Sequence, residues 1–270
     1  MNIVISNLQK AETFTAMFQN TKAFTENVNI MFEKERMYLQ SMDSTRVSIF
    51  EYVLPNTWFD KYEHINEGGI SIGLNSVLLY KILSTRDKIQ QISLTFDPEN
   101  NDKLFISFTS DNKAIFDKHF EMPLMDIDEQ LMNIPPMESD AEFTIPSGTF
   151  ASLVGQLRMF GDTIDVVCSE EKIEMNSLSE GFGKMTVNID IDDLDSYAIN
   201  EGESINLSFS LNILNNICAY HKVTKNMEVK FIKNFPMKII YYLDNTLDST
   251  LDSSSAKMTF YLAPKINDDD

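Results

Sequence analysis

The chain has 270 residues, of which 43% are hydrophobic and 23% charged, enough for one large domain or two of ordinary size with a sizeable core. A net charge of −19 argues against general polyanion binding, which rests on Lys and Arg displacing counterions, unless the charges are segregated onto different faces. No apolar run approaches the ~20 residues of a membrane span, and the MNIVISNLQK start reads as no signal peptide.

The first 120 residues open with a segment of non-alternating pattern at 6–22, and a second such segment follows at 75–86. Between and after them the hydrophobic residues alternate with period two. Val28, Ile30 and Phe32 form one set, Ile92, Leu94 and Phe96 another, and Leu104, Ile106 and Phe108 a third. Each set predicts a half-buried strand, and DPENND at 97–102 predicts a turn between two of them.

The stretch LMDIDEQLMNIPPMESDAEFTIPSG at 124–148 interrupts this rhythm with prolines and acids and predicts a linker. Asp126 and Asp128 fall on one side of an extended chain. A carboxylate metal site needs a further rigid ligand, so they read as solvated linker charge, as does the terminal NDDD. The oily residues Leu131, Met132, Ile134 and Pro135 have two readings: they pin the strap to its own domains, or they wall a groove for a partner's apolar side chains.

The second half repeats the plan. A helix is expected over 147–160, with Phe150, Leu153, Val154, Leu157 and Phe160 on one stripe and Ser147 as its N-cap. Another is expected over 212–223. Ile205, Leu207 and Phe209 predict a strand, as do Met227, Val229 and Phe231. Phe14 in ETF falls on Phe150 in GTF, residues 28–41 fall on 164–177 at the same offset, and GLN at 73–75 falls on SLN at 210–212. The chain therefore reads as a duplication of roughly 130 residues, each copy carrying two helices and a sheet.

No hydrolase, redox or phosphate-cradling motif is present, and His64, His119 and His221 share no spacing. Gly68-Gly69 and Gly181-Phe182-Gly183 read as turns or bulges. Cys168 and Cys218 have no metal-type spacing and read as buried thiols in a reducing compartment. No enzyme and no cofactor are expected. A metal-dependent hydrolase built on Asp126 and Asp128 is the competing class.

Five strings carry a resemblance over the whole chain: LQSMDSTRVSIFE (39–51), LMDIDEQLMNIP (124–135), IPSGTFASLVGQLRMFGD (145–162), LSFSLNILN (207–215) and FYLAPKI (260–266). Together they resemble the proliferating cell nuclear antigen family, the eukaryotic-type DNA sliding clamps. The resemblance implies an α+β fold: a duplicated two-domain clamp with outer β-sheets and four helices lining the interior of a ring. It implies domains at 1–123 and 142–270, joined by an interdomain connecting loop at 124–141. Three copies would encircle duplex DNA without sequence preference. The ring would serve DNA replication and repair as a processivity factor for a DNA polymerase. It would be opened by a clamp loader and would dock PIP-box proteins such as a flap nuclease and DNA ligase. A subunit of a heteromeric checkpoint-type clamp is the alternative within the family. The implied location is the nucleus, or a cytoplasmic viral replication compartment for a viral member; the composition suits a protist or a large DNA virus.

Carried over position by position, the resemblance implies a partner pocket. Met42, Arg46, Val47 and Ile49 come from the LQSMDS run, and Leu131, Met132, Ile134 and Pro135 from the strap. Pro236 comes from NFPMK, and Tyr261, Leu262, Ala263, Pro264 and Ile266 from the final run. The implied DNA-facing residues are Lys22, Lys81, Arg86, Arg158, Asn212, Asn216, Lys222 and Lys225. The polar helix faces read as Thr15 and Gln19, Ser84, Ser152 and Gln156, and Asn215 beside these, sets without an acidic residue but poor in Lys and Arg. Weak, salt-sensitive contact with DNA is expected. Subunit edges are expected at 114–122 and 183–190. Arg46 stands where the family carries histidine, Glu170 where familiar members carry a ubiquitin-accepting lysine with Lys172 nearby, and the loop 244–256 is long.

Overall fold

A computed structural model describes residues 1–64, 68–128, 130–181, 183–243 and 255–265. The chain forms two compact units. The first contains Met1–Ser44 and Glu51–Met132. The second contains Thr45–Phe50, residues 133–243, and the final run from Met258.

The first half of the chain runs β1 (Asn2–Ile5), α1 (Leu8–Thr21), β2 (Asn27–Phe32), β3 (Arg36–Met42), β4 (Ser48–Pro55), β5 (Lys61–Glu63), β6 (Ile70–Asn75), α2 (Ser76–Leu83), β7 (Gln91–Asp97), β8 (Asn100–Thr109) and β9 (Lys118–Pro123). The second runs β10 (Ala141–Pro146), α3 (Ser147–Leu157), β11 (Thr163–Cys168), β12 (Lys172–Ser179), β13 (Gly183–Asp190), β14 (Ser196–Ile199), β15 (Ile205–Ser210), α4 (Leu211–Cys218), β16 (Asn226–Phe231), β17 (Met237–Tyr242) and β18 (Lys257–Leu262). Even the short 3-10 turns repeat, Asn56–Trp58 before β5 and Ile191–Asp193 before β14. Strand order repeats as well. β5-β1-β7-β8-β9 corresponds to β14-β10-β16-β17-β18, and β4-β3-β2-β6 to β13-β12-β11-β15. This is the duplicated α+β clamp architecture expected from the sequence.

The alternating sets become antiparallel strands with one face in the core. Val28, Ile30 and Phe32 are buried, as are Ile92, Leu94 and Phe96, and Leu104, Ile106 and Phe108. In the first unit Phe14 and Phe18 of α1 meet edge to face, with ring centroids 5.0 Å apart, and Phe18 reaches Tyr52. The buried Tyr52 hydroxyl is within 2.9 Å of Thr21 Oγ1, so the polar tip of a core tyrosine is satisfied. In the second unit Phe150 of α3 lies against Phe143 of β10, and Tyr220 against Phe260 at 4.9 Å. Cys168 and Cys218 are buried free thiols, as expected. Burial pushes the Cys168 thiol up to about 12 and Cys218 higher still, which leaves neither as a nucleophile.

Helix boundaries correct several expectations. The N-caps of α1 and α2 are Asn7 and Asn75, whose side chains accept N–H bonds from the first turn. Ser147 is not the N-cap of α3. Pro146 takes that position, and the buried Ser147 Oγ donates into a cluster of carbonyls at His221, Thr224 and Lys225. A hydroxyl with those acceptors available has no need to turn back to its own helix. Of the α3 stripe, Phe150, Val154 and Leu157 are buried while Leu153 and Phe160 are half-buried. The segment at 212–223 is α-helical only to Cys218 and then tightens into a 3-10 turn, Ala219–Lys222. Asn75 and Ser210 cap α2 and α4, so they are the equivalent positions, and the GLN–SLN match pairs Asn75 with Asn212 two residues out of step. The edge at 114–122 begins as strand only at Lys118. Residues 112–115 instead form a turn closed by the Ile115 N–H on the Asn112 carbonyl.

On β10 and β16 an ion pair bears on acid stability. Lys230 Nζ lies 2.8 Å from Glu142 and 2.9 Å from Glu228, and Ser139 Oγ donates to Glu142 at 2.6 Å. Burial disfavours the Glu142 charge, but the bonds from Lys230 and Ser139 outweigh it and hold the carboxyl below its ordinary 4.5. A folded value below the unfolded one gives stability that is complete above about 4.5 and is lost as pH falls through the folded value. In thermal melts from about pH 6 to about pH 3, Glu142→Gln should start less stable by under ~1 kcal/mol, a figure limited by solvent screening, and the gap should close toward the acid end. Parallel curves across that range would show that Glu142 contributes nothing through its charge.

Candidate functional site

The strap after β9 is fixed to the first unit by a single row of neighbouring residues, one through its backbone and two through their side chains. Gly73 of β6 pairs with Asn29 of β2, and Gln40 of β3 is the next position beyond the Ile30–Leu39 pair. Each grips the strap in turn. The Met125 N–H donates to the Gly73 carbonyl at 2.8 Å. A Cβ on Gly73 would stand 2.2 Å from the Met125 oxygen, so only glycine permits this approach. Asn29 Nδ2 donates to the Ile127 carbonyl at 2.9 Å. Gln40 then makes two bonds with Met132: its Oε1 accepts the Met132 N–H at 2.6 Å, and its Nε2 donates to the Met132 carbonyl at 3.0 Å. Held by its backbone, the strap turns Met125 and Leu131 outward, 44% and 50% exposed.

Of the expected pocket residues in this unit, Met42 and Met132 are half-buried and Leu131 exposed. In the second unit the Ala263 N–H donates to the Val47 carbonyl at 3.0 Å, which brings the final run beside the segment 45–50. Phe260 stacks on Phe50 beneath, and Leu262 is buried. Val47, Ile49, Tyr261, Ala263 and Pro264 stay partly exposed, with Lys238 Nζ 5.8 Å above the Tyr261 ring. Arg46 is exposed and holds a left-handed backbone (φ 60°), an uncommon state for a side chain this large. Pro236 follows a turn closed by the Phe235 N–H on the Ile232 carbonyl, with Asn234 left-handed at φ 65°. Ile134 is half-buried and Pro135 exposed. Ile266 lies outside the described residues, as do Phe182 and most of the loop 244–256.

Sequence reasoning missed three residues here. Phe235, 43% exposed, stands beside Pro236, and Met137, 40% exposed, lies further along the strap. Gln40 lies within the LQSMDS run itself. Met137 and Phe235 were legible as large apolar residues in segments expected at the surface; the role of Gln40 depends on a contact 92 residues away.

The helices pack in pairs, α1 beside α2 and α3 beside α4. Their outward faces are less basic than the sequence sets suggest. Glu12 is exposed on α1, three residues before Thr15 and seven before Gln19, so an acid does share that face. Lys22 Nζ sits 4.6 Å over the Tyr80 ring. Arg86 is half-buried and donates to the carbonyls of Asp87, Lys88 and Gln90, clasping its own loop. Burial pulls its guanidinium below the ordinary value against the opposing charges of Glu12 and Asp87. Arg158 Nε donates to Asn212 Oδ1 at 2.9 Å, and Asn212 in turn reaches Asp162. Lys81, Lys222 and Lys225 are exposed, and Asn216 is half-buried.

The acids and histidines singled out in the sequence stand apart from one another among the described residues. Asp126 and Asp128 are exposed on the strap. His64 contacts the Phe32 carbonyl, His119 the Ser107 hydroxyl and His221 the Cys218 carbonyl, three separate local bonds. No group of three or more metal-ligating side chains occurs among the described residues, and no described helix is long and apolar enough to cross a membrane.

A duplicated sheet-and-helix scaffold with a pinned surface strap defines a two-unit α+β scaffold protein. Residues 3–131 match the family model for the proliferating cell nuclear antigen N-terminal domain, and residues 133–265 match that for its C-terminal domain. The chain belongs to the proliferating cell nuclear antigen family, the DNA sliding clamps, whose members are non-enzymatic scaffolds.

Proposed function

We propose that three copies of this chain close head to tail into a ring around duplex DNA, and that the ring tethers a polymerase and presents a groove for PIP-box proteins. The domains would be 1–123 and 142–270, with 124–141 as their connector. A threaded ring converts each rebinding of the polymerase into an intramolecular event, which raises processivity without strong contacts to DNA.

The observation that carries the ring is Phe116, 84% exposed just before the edge strand β9. Its backbone is not loose: the fully buried Gln90 donates from Nε2 to the Phe116 carbonyl at 2.9 Å and to that of Phe108 at 3.2 Å. A large aromatic held out on a fixed backbone is how an interface anchor is built. In the second unit β13 is a long open edge, and Met159 and Leu178 are 67% and 63% exposed near it. Gly161 lets its loop close on β12, since a Cβ there would meet the Leu178 carbonyl at 2.6 Å, and Met159 stands two residues before it. Open edges and apolar anchors at two different places make a heterologous contact, which a rotation can close into a ring.

The plug-accepting groove would use Met42, Val47 and Ile49, Leu131 to Pro135, Pro236 and the run from Tyr261, with Arg46 at its rim. The DNA-facing surface would be the helix layer carrying Lys81, Lys222 and Lys225. Light scattering on the purified chain tests the assembly. A mass of three chains supports the homotrimer, whereas a persistent single chain favours the heteromeric form of clamp.

A further inference from the structure

Gln40 is only 4% exposed, yet its amide contacts a strap whose neighbours Leu131 and Asn133 are exposed. Buried amides persist where all their bonds are made. Here the amide imitates a neighbouring strand, giving and taking one bond each with Met132. Its second N–H goes to Glu51 Oε1 at 3.0 Å, an oxygen that also accepts the Tyr38 hydroxyl at 2.7 Å. This fixes which way the amide faces. A flipped Gln40 would set its oxygen against the Glu51 carboxylate and the Met132 carbonyl, and its NH2 against the Met132 N–H. Beyond Met132, no hydrogen bond fastens residues 133–138 among the described residues, until Ser139 Oγ meets Glu142. Gln40 is therefore the last fastening before the segment carrying Ile134 and Pro135.

We propose that Gln40, oriented by Glu51, is a positioning residue for partner docking: it holds the strap at Met132 in the conformation that receives a partner's apolar plug. This rests on the groove proposed above. It predicts that Gln40 contributes to affinity without touching the partner. Freeing the strap lowers the fraction of chains ready to bind, and apparent affinity falls by that fraction.

The test uses the full chain and a synthetic peptide bearing a glutamine followed by an aliphatic and an aromatic plug. Gln40→Met keeps the side chain's length and removes every bond. It should leave the fluorescence of Trp58, a buried reporter in the first unit, unchanged. It should speed amide exchange at Met132 and weaken the peptide about tenfold. Glu51→Leu should weaken binding in the same direction, while Glu51→Gln, which keeps an acceptor at the same place, should restore it. That pair carries the test should Gln40→Met fail to fold. Unchanged exchange at Met132 in Gln40→Met, or affinity within about twofold of the parent in both Gln40→Met and Glu51→Leu, overturns the proposal. A parent chain that does not bind the peptide at all overturns the groove itself, a different result from a parent that binds and variants that match it.

Discussion

Phe116→Asp should turn the assembled protein into single chains at concentrations where the parent is fully trimeric. The substitution removes the most exposed large hydrophobic side chain of the described residues and places a charge where the next copy would bury it. Central aromatic anchors cost about 2–4 kcal/mol when truncated, and an unpaired buried charge adds to that. Each contact should therefore weaken by about thirty- to a thousandfold, and a ring needs all of its contacts closed at once. Fold should survive, because the side chain makes no contribution to the core and the Gln90 bonds reach only the backbone. Light scattering should report one chain, circular dichroism should be unchanged, and stimulation of polymerase product length should disappear. A variant that remains trimeric would move the subunit interface away from β9.

The second large effect concerns salt. With Arg86 clasping its loop, Arg158 bound to Asn212 and Glu12 on the α1 face, few cations remain to meet phosphates. If two to four phosphates are met at once, affinity for a short linear duplex should fall between ~12- and ~150-fold from about 50 to about 200 mM salt, starting from weak binding. Glu12→Lys exchanges an acid for a base on every α1. It should tighten low-salt binding by more than about tenfold and steepen the log–log slope by about one per added phosphate contact. A parent slope steeper than about −6 would mean that other cations dominate the DNA contact.

Much of the fold was legible because its signals are local. Period-two sets such as Val28, Ile30 and Phe32 need only their own spacing to declare a strand with one buried face. The duplication was legible because both copies retain the same helix-strand order, and even a match two residues out of step at Asn75 did not hide it. Boundaries were less legible. Ser147 resembles a cap until the distant carbonyls of His221, Thr224 and Lys225 are brought to it. The site divides the same way. The strap and its oily residues were readable from proline and composition, whereas the Gln40–Met132 bonds and the Gln90 bond behind Phe116 join residues 92 and 26 apart in sequence. Asn234 holds a left-handed backbone that asparagine favours, whereas the same state at Arg46 is one that its residue type does not announce.

The central claim is that the ring holds DNA by topology. The direct measurement is retention on a duplex tethered to a bead at one end, onto whose free end the protein is threaded before a bulky protein cap closes that end. After a high-salt wash the clamp should remain on the capped duplex and leave once a restriction enzyme removes the capped end. Loss in the wash despite the cap, or retention that survives the cut, would contradict encirclement.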